Sequence, residues 1–134
     1  MQGDPRARLV LTDEPYNVKI AGNVTGGPHR EFAMASGEMS QAEFTAFLRS
    51  VFGHLATFSV DGAIHFQCMD WRHVSEIMAA GTAAYTDLKN ICVWAKNNGG
   101  MGSLYRSQHE FVFVFKSGTA YQQRRAGQTR AIPN

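Results

Sequence analysis

The sequence predicts an α/β fold built on a mostly parallel sheet that closes with a C-terminal antiparallel hairpin. Three observations carry this reading. Apolar runs of strand length alternate with two helical patterns, the arrangement that builds a parallel sheet covered by helices. The link between the last two strands is too short for a crossover helix, so those two strands pair antiparallel. With 134 residues and 44% hydrophobic content, the chain makes one domain with a real core, and no shift in composition marks a second.

The polar segment 1–8, with Gly3-Asp4-Pro5, reads as a loose entry into the first strand, Leu9 to Thr12. That strand stops at Asp13-Glu14-Pro15-Tyr16-Asn17. The stretch 21–37 that follows Val18-Lys19-Ile20 carries several glycines and no periodicity. Loops of that length are usually functional or disordered, and this one reads as a mobile lid beside the first strand's end.

Ser40 and Glu43 form a capping box, with Met39 and Phe44 in the staple positions. Phe44, Phe47, Leu48, Val51, Phe52 and Leu55 then recur with the period of one buried helical face. Asp61-Gly62 reads as a turn into a buried strand, Ala63 to Met69, in which His65 and Gln67 share a face. Asp70 caps a second helix with Val74, Ile77 and Met78 inward and Gly81 as its stop. The third strand is Leu88 to Lys96, and the fourth is Phe111 to Phe115, whose alternating phenylalanines place one face in the core.

The 13 Lys and Arg against 11 Asp and Glu leave a net charge of +2, too small to announce nucleic-acid binding by charge alone. Cys68 and Cys92 lie in apolar runs and read as reduced, buried thiols of a cytoplasmic protein. The scattered histidines have no metal-ligand spacing, and no run is long enough to span a bilayer. His65 and His109 read as hydrogen-bonded structural histidines. From Tyr121 the apolar pattern gives way to Gln-Gln-Arg-Arg-Ala-Gly-Gln-Thr-Arg, so residues 121–134 are expected to be a basic tail, disordered or the product of a frameshift.

The stretch that carries chemistry is the first strand's end. In open α/β sheets ligands bind outside the carboxyl ends of the strands, although an Asp-x-Pro there also serves as an ordinary capped turn. Thr12-Asp13-Glu14-Pro15-Tyr16-Asn17 resembles the Asp-Pro-Pro-Tyr signature of DNA amino methyltransferases, which methylate the exocyclic amine of adenine or cytosine. Trp94-x-Lys96, the loop Gly99-Gly100-Met101-Gly102-Ser103-Leu104-Tyr105-Arg106, and His109-Glu110 before the last strand extend the likeness over residues 9–116.

The resemblance implies a partial Rossmann-like methyltransferase sheet over residues 1–120, the catalytic half of the family's domain. It implies S-adenosylmethionine (SAM) as cofactor and double-stranded DNA as partner, with no membrane, and with adenine favoured because the signature begins with Asp. Asp13 would accept one N–H of the target amine and also lie on the cofactor side. The main-chain carbonyl of Glu14 would accept the other N–H, Pro15 would hold the turn, and Tyr16 would stack on the flipped base. Asn17, Lys19, Tyr105 and Arg106 would lie on the substrate side.

Two departures from the family pattern shape the expectations. Glu14 stands where the family has proline, and its carboxylate at roughly 6 Å from Asp13 would repel it by about 3 kcal/mol at an effective dielectric near 20. The glycine-rich SAM loop is absent, which leaves three readings. These are a methyltransferase domain, either inactive through truncation or completed by a complementary chain or self-association; a non-catalytic remnant or accessory DNA-binding subunit; and an unrelated α/β ligand-binding module.

Overall fold

The computed structural model describes residues 3–19, 32–100 and 104–121. Most of the stretch expected to form a lid, the middle of the glycine-rich loop, and the tail beyond residue 121 lie outside the described residues. The elements are β1 (Ala7–Thr12), α1 (Gln41–Thr57), β2 (Ser59–Met69), a single 3-10 turn (Trp71–His73), α2 (Val74–Ala84), β3 (Asp87–Ala95) and β4 (His109–Ser117).

They build one sheet in the order β1-β2-β4-β3. β1 pairs parallel with β2, and β4 pairs antiparallel with both β2 and β3. β1, β2 and β3 therefore run the same way and β4 alone is reversed, which is the mostly parallel sheet with a C-terminal hairpin that the sequence predicts. The hairpin turns inward, with β4 between β2 and β3. Phe113, Val114 and Phe115 make β4 apolar on both faces and suit it to an interior position, while Asp87, Lys89 and Asn90 suit β3 to the edge. Cys92, expected to be buried, is exposed because it lies on that edge strand, and both cysteines are free.

Helix α1 starts where the capping box places it: the Ser40 hydroxyl accepts from the Glu43 N–H, and the Glu43 carboxylate accepts from the Ser40 N–H at 2.8 Å. Its periodic face buries Phe44, Leu48 and Phe52. Together with Met69, Ile77, Ala80, Tyr85, Phe113 and Phe115 these form the core between the two helices and one face of the sheet.

Two expectations about glycine are corrected. Asp61-Gly62 lies inside β2 and not before it, at a register irregularity between the Ala7 and Leu9 pairings. There the Asp61 carboxylate accepts the N–H groups of Thr119 (2.6 Å) and Ala120 (3.0 Å), tying the start of β2 to the end of β4. These two main-chain donors hold its carboxyl below the usual range. Gly62 has φ +84, and a Cβ there would meet the Ala120 carbonyl at 2.8 Å.

Gly81 does not stop α2, which runs on to Ala84. Its role is close packing, since a Cβ at Gly81 would lie 2.2 Å from Cζ of the buried Phe115 ring. Gly81→Ala gains about 1 kcal/mol of helix propensity, but overpacking an enclosed ring costs about 1–3 kcal/mol. The variant is expected to unfold at lower urea concentration than the wild type with an unchanged m-value.

Candidate functional site

Because β1, β2 and β3 share one direction, their carboxyl ends lie along one edge of the sheet together with the start of β4. The topology thus brings Asp13–Asn17, Asp70, Lys96 and Glu110 to the same edge. Asp13 is exposed just past the end of β1. The Tyr16 hydroxyl donates to Asp13 Oδ1 and lies 3.4 Å from Glu110 Oε2. Lys96 Nζ in turn donates to Glu110 Oε1, with its ammonium 5.3 Å from the centre of the Trp94 ring.

Tyr16 therefore bridges two acidic side chains from β1 and β4 across the end of β2. Burial, the hydrogen bond and charge of Asp13, and then the charge of Glu110 push its phenol well above the usual range. It stays protonated and acts as a donor. One oxygen of Asp13 is oriented by that bond, and no described residue bonds Oδ2. The ring of Tyr16 packs beside the core.

Glu14 points the other way along the strand. Its side chain is buried, and its Oε1 lies 2.6 Å from the Thr12 hydroxyl. The expected strong repulsion of Asp13 is corrected. Burial is the first cause that pushes the Glu14 carboxyl up, the Thr12 bond opposes it, and the charge of Asp13 adds least. Alternation along an extended chain sends neighbouring side chains to opposite sides, which keeps the two carboxyls apart. Pro15 is half-buried, and the Glu14 carbonyl accepts no main-chain N–H among the described residues.

Asn17 takes a left-handed conformation, φ 53, which asparagine tolerates. Its Oδ1 accepts from the N–H groups of Gly37 (3.0 Å) and Met39 (3.2 Å), and its Nδ2 donates to the Met39 carbonyl (2.8 Å). This buried amide clamps the segment that leads into α1. Lys19 lies at the surface with its stem beside Gly37. Tyr105 and Arg106 belong to the β3–β4 connection at the same sheet edge. Tyr105 is 85% exposed, and Arg106 Nε donates to the Gly100 carbonyl at 3.4 Å.

The Lys96–Glu110 pair completes the cluster; the sequence names both residues within the family likeness but does not pair them. The signal for it was the β3–β4 hairpin, whose register sets Trp94 opposite Glu110. Among the described residues, no group of three or more His, Cys, Asp or Glu forms a metal-holding cluster, and no helix is long and apolar enough to cross a membrane.

No family model and no curated protein matches the chain. Among solved structures it is similar to the crystal structure of the M1.HpyAVI–SAM complex, with a TM-score of 0.52 and 16% sequence identity. The match covers 86% of this chain and 45% of that one, so the chain spans less than half the length of that structure. At this identity the likeness is one of architecture: the chain has a methyltransferase-like α/β fold.

Proposed function

We propose that this chain is the amine-binding half of a SAM-dependent DNA amino methyltransferase acting on adenine N6, with Asp13, the Glu14 carbonyl and Tyr16 as its working groups. The observation that carries the reading is Asp13 at the carboxyl end of β1, oriented on one oxygen by Tyr16 and, among the described residues, unbonded on the other. An exocyclic amine is a poor nucleophile because its lone pair is delocalised into the ring. A carboxylate and a carbonyl that accept its two N–H bonds favour a tetrahedral nitrogen and free that lone pair. Asp13 and the Glu14 carbonyl are adjacent acceptors of the required kind. The exposed Tyr105 and Arg106 on the neighbouring hairpin suit contact with a stacked base and a phosphate.

The described residues fit the amine end of this chemistry and not the methyl donor. β1 is the outermost strand, Leu9 and Leu11 are 62% and 66% exposed on it, and no described glycine-rich turn lies on that side. This observation favours the accessory reading as the second candidate, a DNA-binding subunit without transfer of its own.

The test is transfer of labelled methyl from SAM to duplex DNA by the full chain, with the label traced to the modified base. Label on adenine N6 supports the first reading. Salt-dependent duplex binding without label supports the second, and neither result leaves only a fold. If transfer occurs, Tyr16→Phe keeps the ring and removes the donor to Asp13. A hydrogen bond to a charged group contributes about 1.5–3 kcal/mol, so kcat is expected to fall by roughly 10- to 100-fold while duplex affinity holds.

A further inference from the structure

A continuous line of buried polar groups runs from α1 to the end of β1, and its hydrogens are determined one after another. The Ser59 hydroxyl donates to the Leu55 carbonyl at 2.7 Å and has no second hydrogen. The His65 Nε2 that sits 2.9 Å from the same oxygen must therefore carry the proton. His65 is fully buried, and burial disfavours its charged form, so its Nδ1 is a bare acceptor. The hydroxyl of Tyr85, 2.9 Å from Nδ1, supplies that hydrogen.

Tyr85 in turn accepts from Gln67 Nε2 at 3.1 Å, which orients the Gln67 amide and turns its Oε1 toward Thr12. The Thr12 hydroxyl must donate to Gln67 Oε1, and with that its one hydrogen is used. It still lies 2.6 Å from Glu14 Oε1. Two oxygens at that distance need a hydrogen between them, and the remaining source is Glu14.

We infer that Glu14 is held at neutral pH as a protonated carboxylic acid donating to Thr12, and that it is a positioning residue which fixes the end of β1, and with it Asp13, through this one-way chain. The other oxygen of Glu14 is buried with no partner, a smaller penalty for the carbonyl oxygen of a neutral acid than for an ionised carboxylate. The ionisable groups whose charge acts on it or feels it are Asp13 on its own strand end, Cys68 on β2 and Tyr85 after α2, with His65 beyond Tyr85. None of these is cationic while His65 is neutral, so nothing in this set holds a charged Glu14. The competing arrangement turns the Gln67 amide over, ionises Glu14 and places a positive charge on His65. The protonation state stands on the hydrogen bonds and on the burial of His65; only its consequence for Asp13 rests on the proposed amine-binding reading.

The experiment is carbon NMR of the full chain labelled at glutamate carboxyls, with nitrogen NMR of His65 and without DNA or SAM. The Glu14 resonance is assigned by its loss in Glu14→Gln. The expected result is a Glu14 carboxyl still protonated at neutral pH, above the titrations of Glu38 and Glu43, with His65 neutral and protonated on Nε2. An ionised Glu14 or a doubly protonated His65 at neutral pH overturns the inference.

Glu14→Gln retains a donor toward Thr12 and Glu14→Ala does not, so at about pH 4, below the unfolded glutamate value, the first is expected to keep the wild-type urea midpoint and the second to lose it. Because the folded carboxyl is raised, its stabilisation is fully present below the unfolded carboxyl value and is lost as pH rises through the folded one. The urea midpoint of Glu14→Gln is therefore expected to gain on the wild type as pH rises, and equal pH slopes overturn the inference. With the carboxyl protonated and Glu14→Gln stable but transfer absent, it is the proposed function that fails.

Discussion

Asp13→Ala is expected to lower the rate of methyl transfer by two to three orders of magnitude while duplex affinity changes little. On the proposed function, the carboxylate would meet an amine whose N–H groups become more acidic as the nitrogen attacks, so its contribution would grow toward the transition state. Removing one such preorganised electrostatic partner typically costs about 10²–10³ in kcat. A loss confined to KM would show uniform binding and not activation of the amine. Steady-state transfer from labelled SAM at saturating duplex, compared with duplex binding by fluorescence anisotropy, separates the two. The exposed position of Asp13 makes the comparison clean, because the deletion leaves no cavity.

Phe115→Ala is expected to lower folding stability by about 3–5 kcal/mol, as large-to-small changes at buried aromatics do. The ring is fully enclosed, stacks on Tyr85 at 5.0 Å between centroids, and contacts Phe52 and Phe113 at 6.2 Å. It also covers Gly81 of α2. Phe115 sits opposite His65 on β2 and Leu88 on β3, in the middle of the strand that joins both hairpin partners. Its loss removes packing from both helices at once and from the Tyr85 hydroxyl that supplies His65. Urea unfolding followed by far-UV circular dichroism measures the effect. A loss below about 1 kcal/mol would mean that the core collapses into the space.

Local rules made much of the fold legible. The capping box and the six-residue apolar face located α1, and Asp70 caps the 3-10 turn that opens into α2. The alternating phenylalanines located β4, and the short final link gave its reversed direction. Gly81 and Asp61-Gly62 misled for one physical reason: a glycine looks the same in sequence whether it ends an element, kinks a strand or makes room for a ring. Only the position of Phe115 or of the Ala120 carbonyl distinguishes these roles.

The candidate site divides the same way. Asp13 and Tyr16 were visible because they are neighbours in the chain and belong to one strand end. The pairing of Glu110 with Lys96 and its approach to Tyr16 were not, since they come from the register of β3 on β4. Asn17 and Glu14 are among the site residues that the resemblance implies, and their side chains bond within the scaffold. Asn17 holds segment 37–39, and Glu14 turns inward to Thr12.

The sequence by itself determined the class of fold and the order of the elements, and it marked the end of β1 as the candidate site, because capping, periodicity and turn chemistry act over a few residues. Tertiary structure alone decided that β4 lies inside the sheet, that Tyr16 bridges Asp13 and Glu110, and that Thr12 links Glu14 to Gln67, Tyr85 and His65. Those facts depend on which groups meet after the chain folds, and hydrogen bonding between residues more than fifty positions apart leaves no local signal in the sequence.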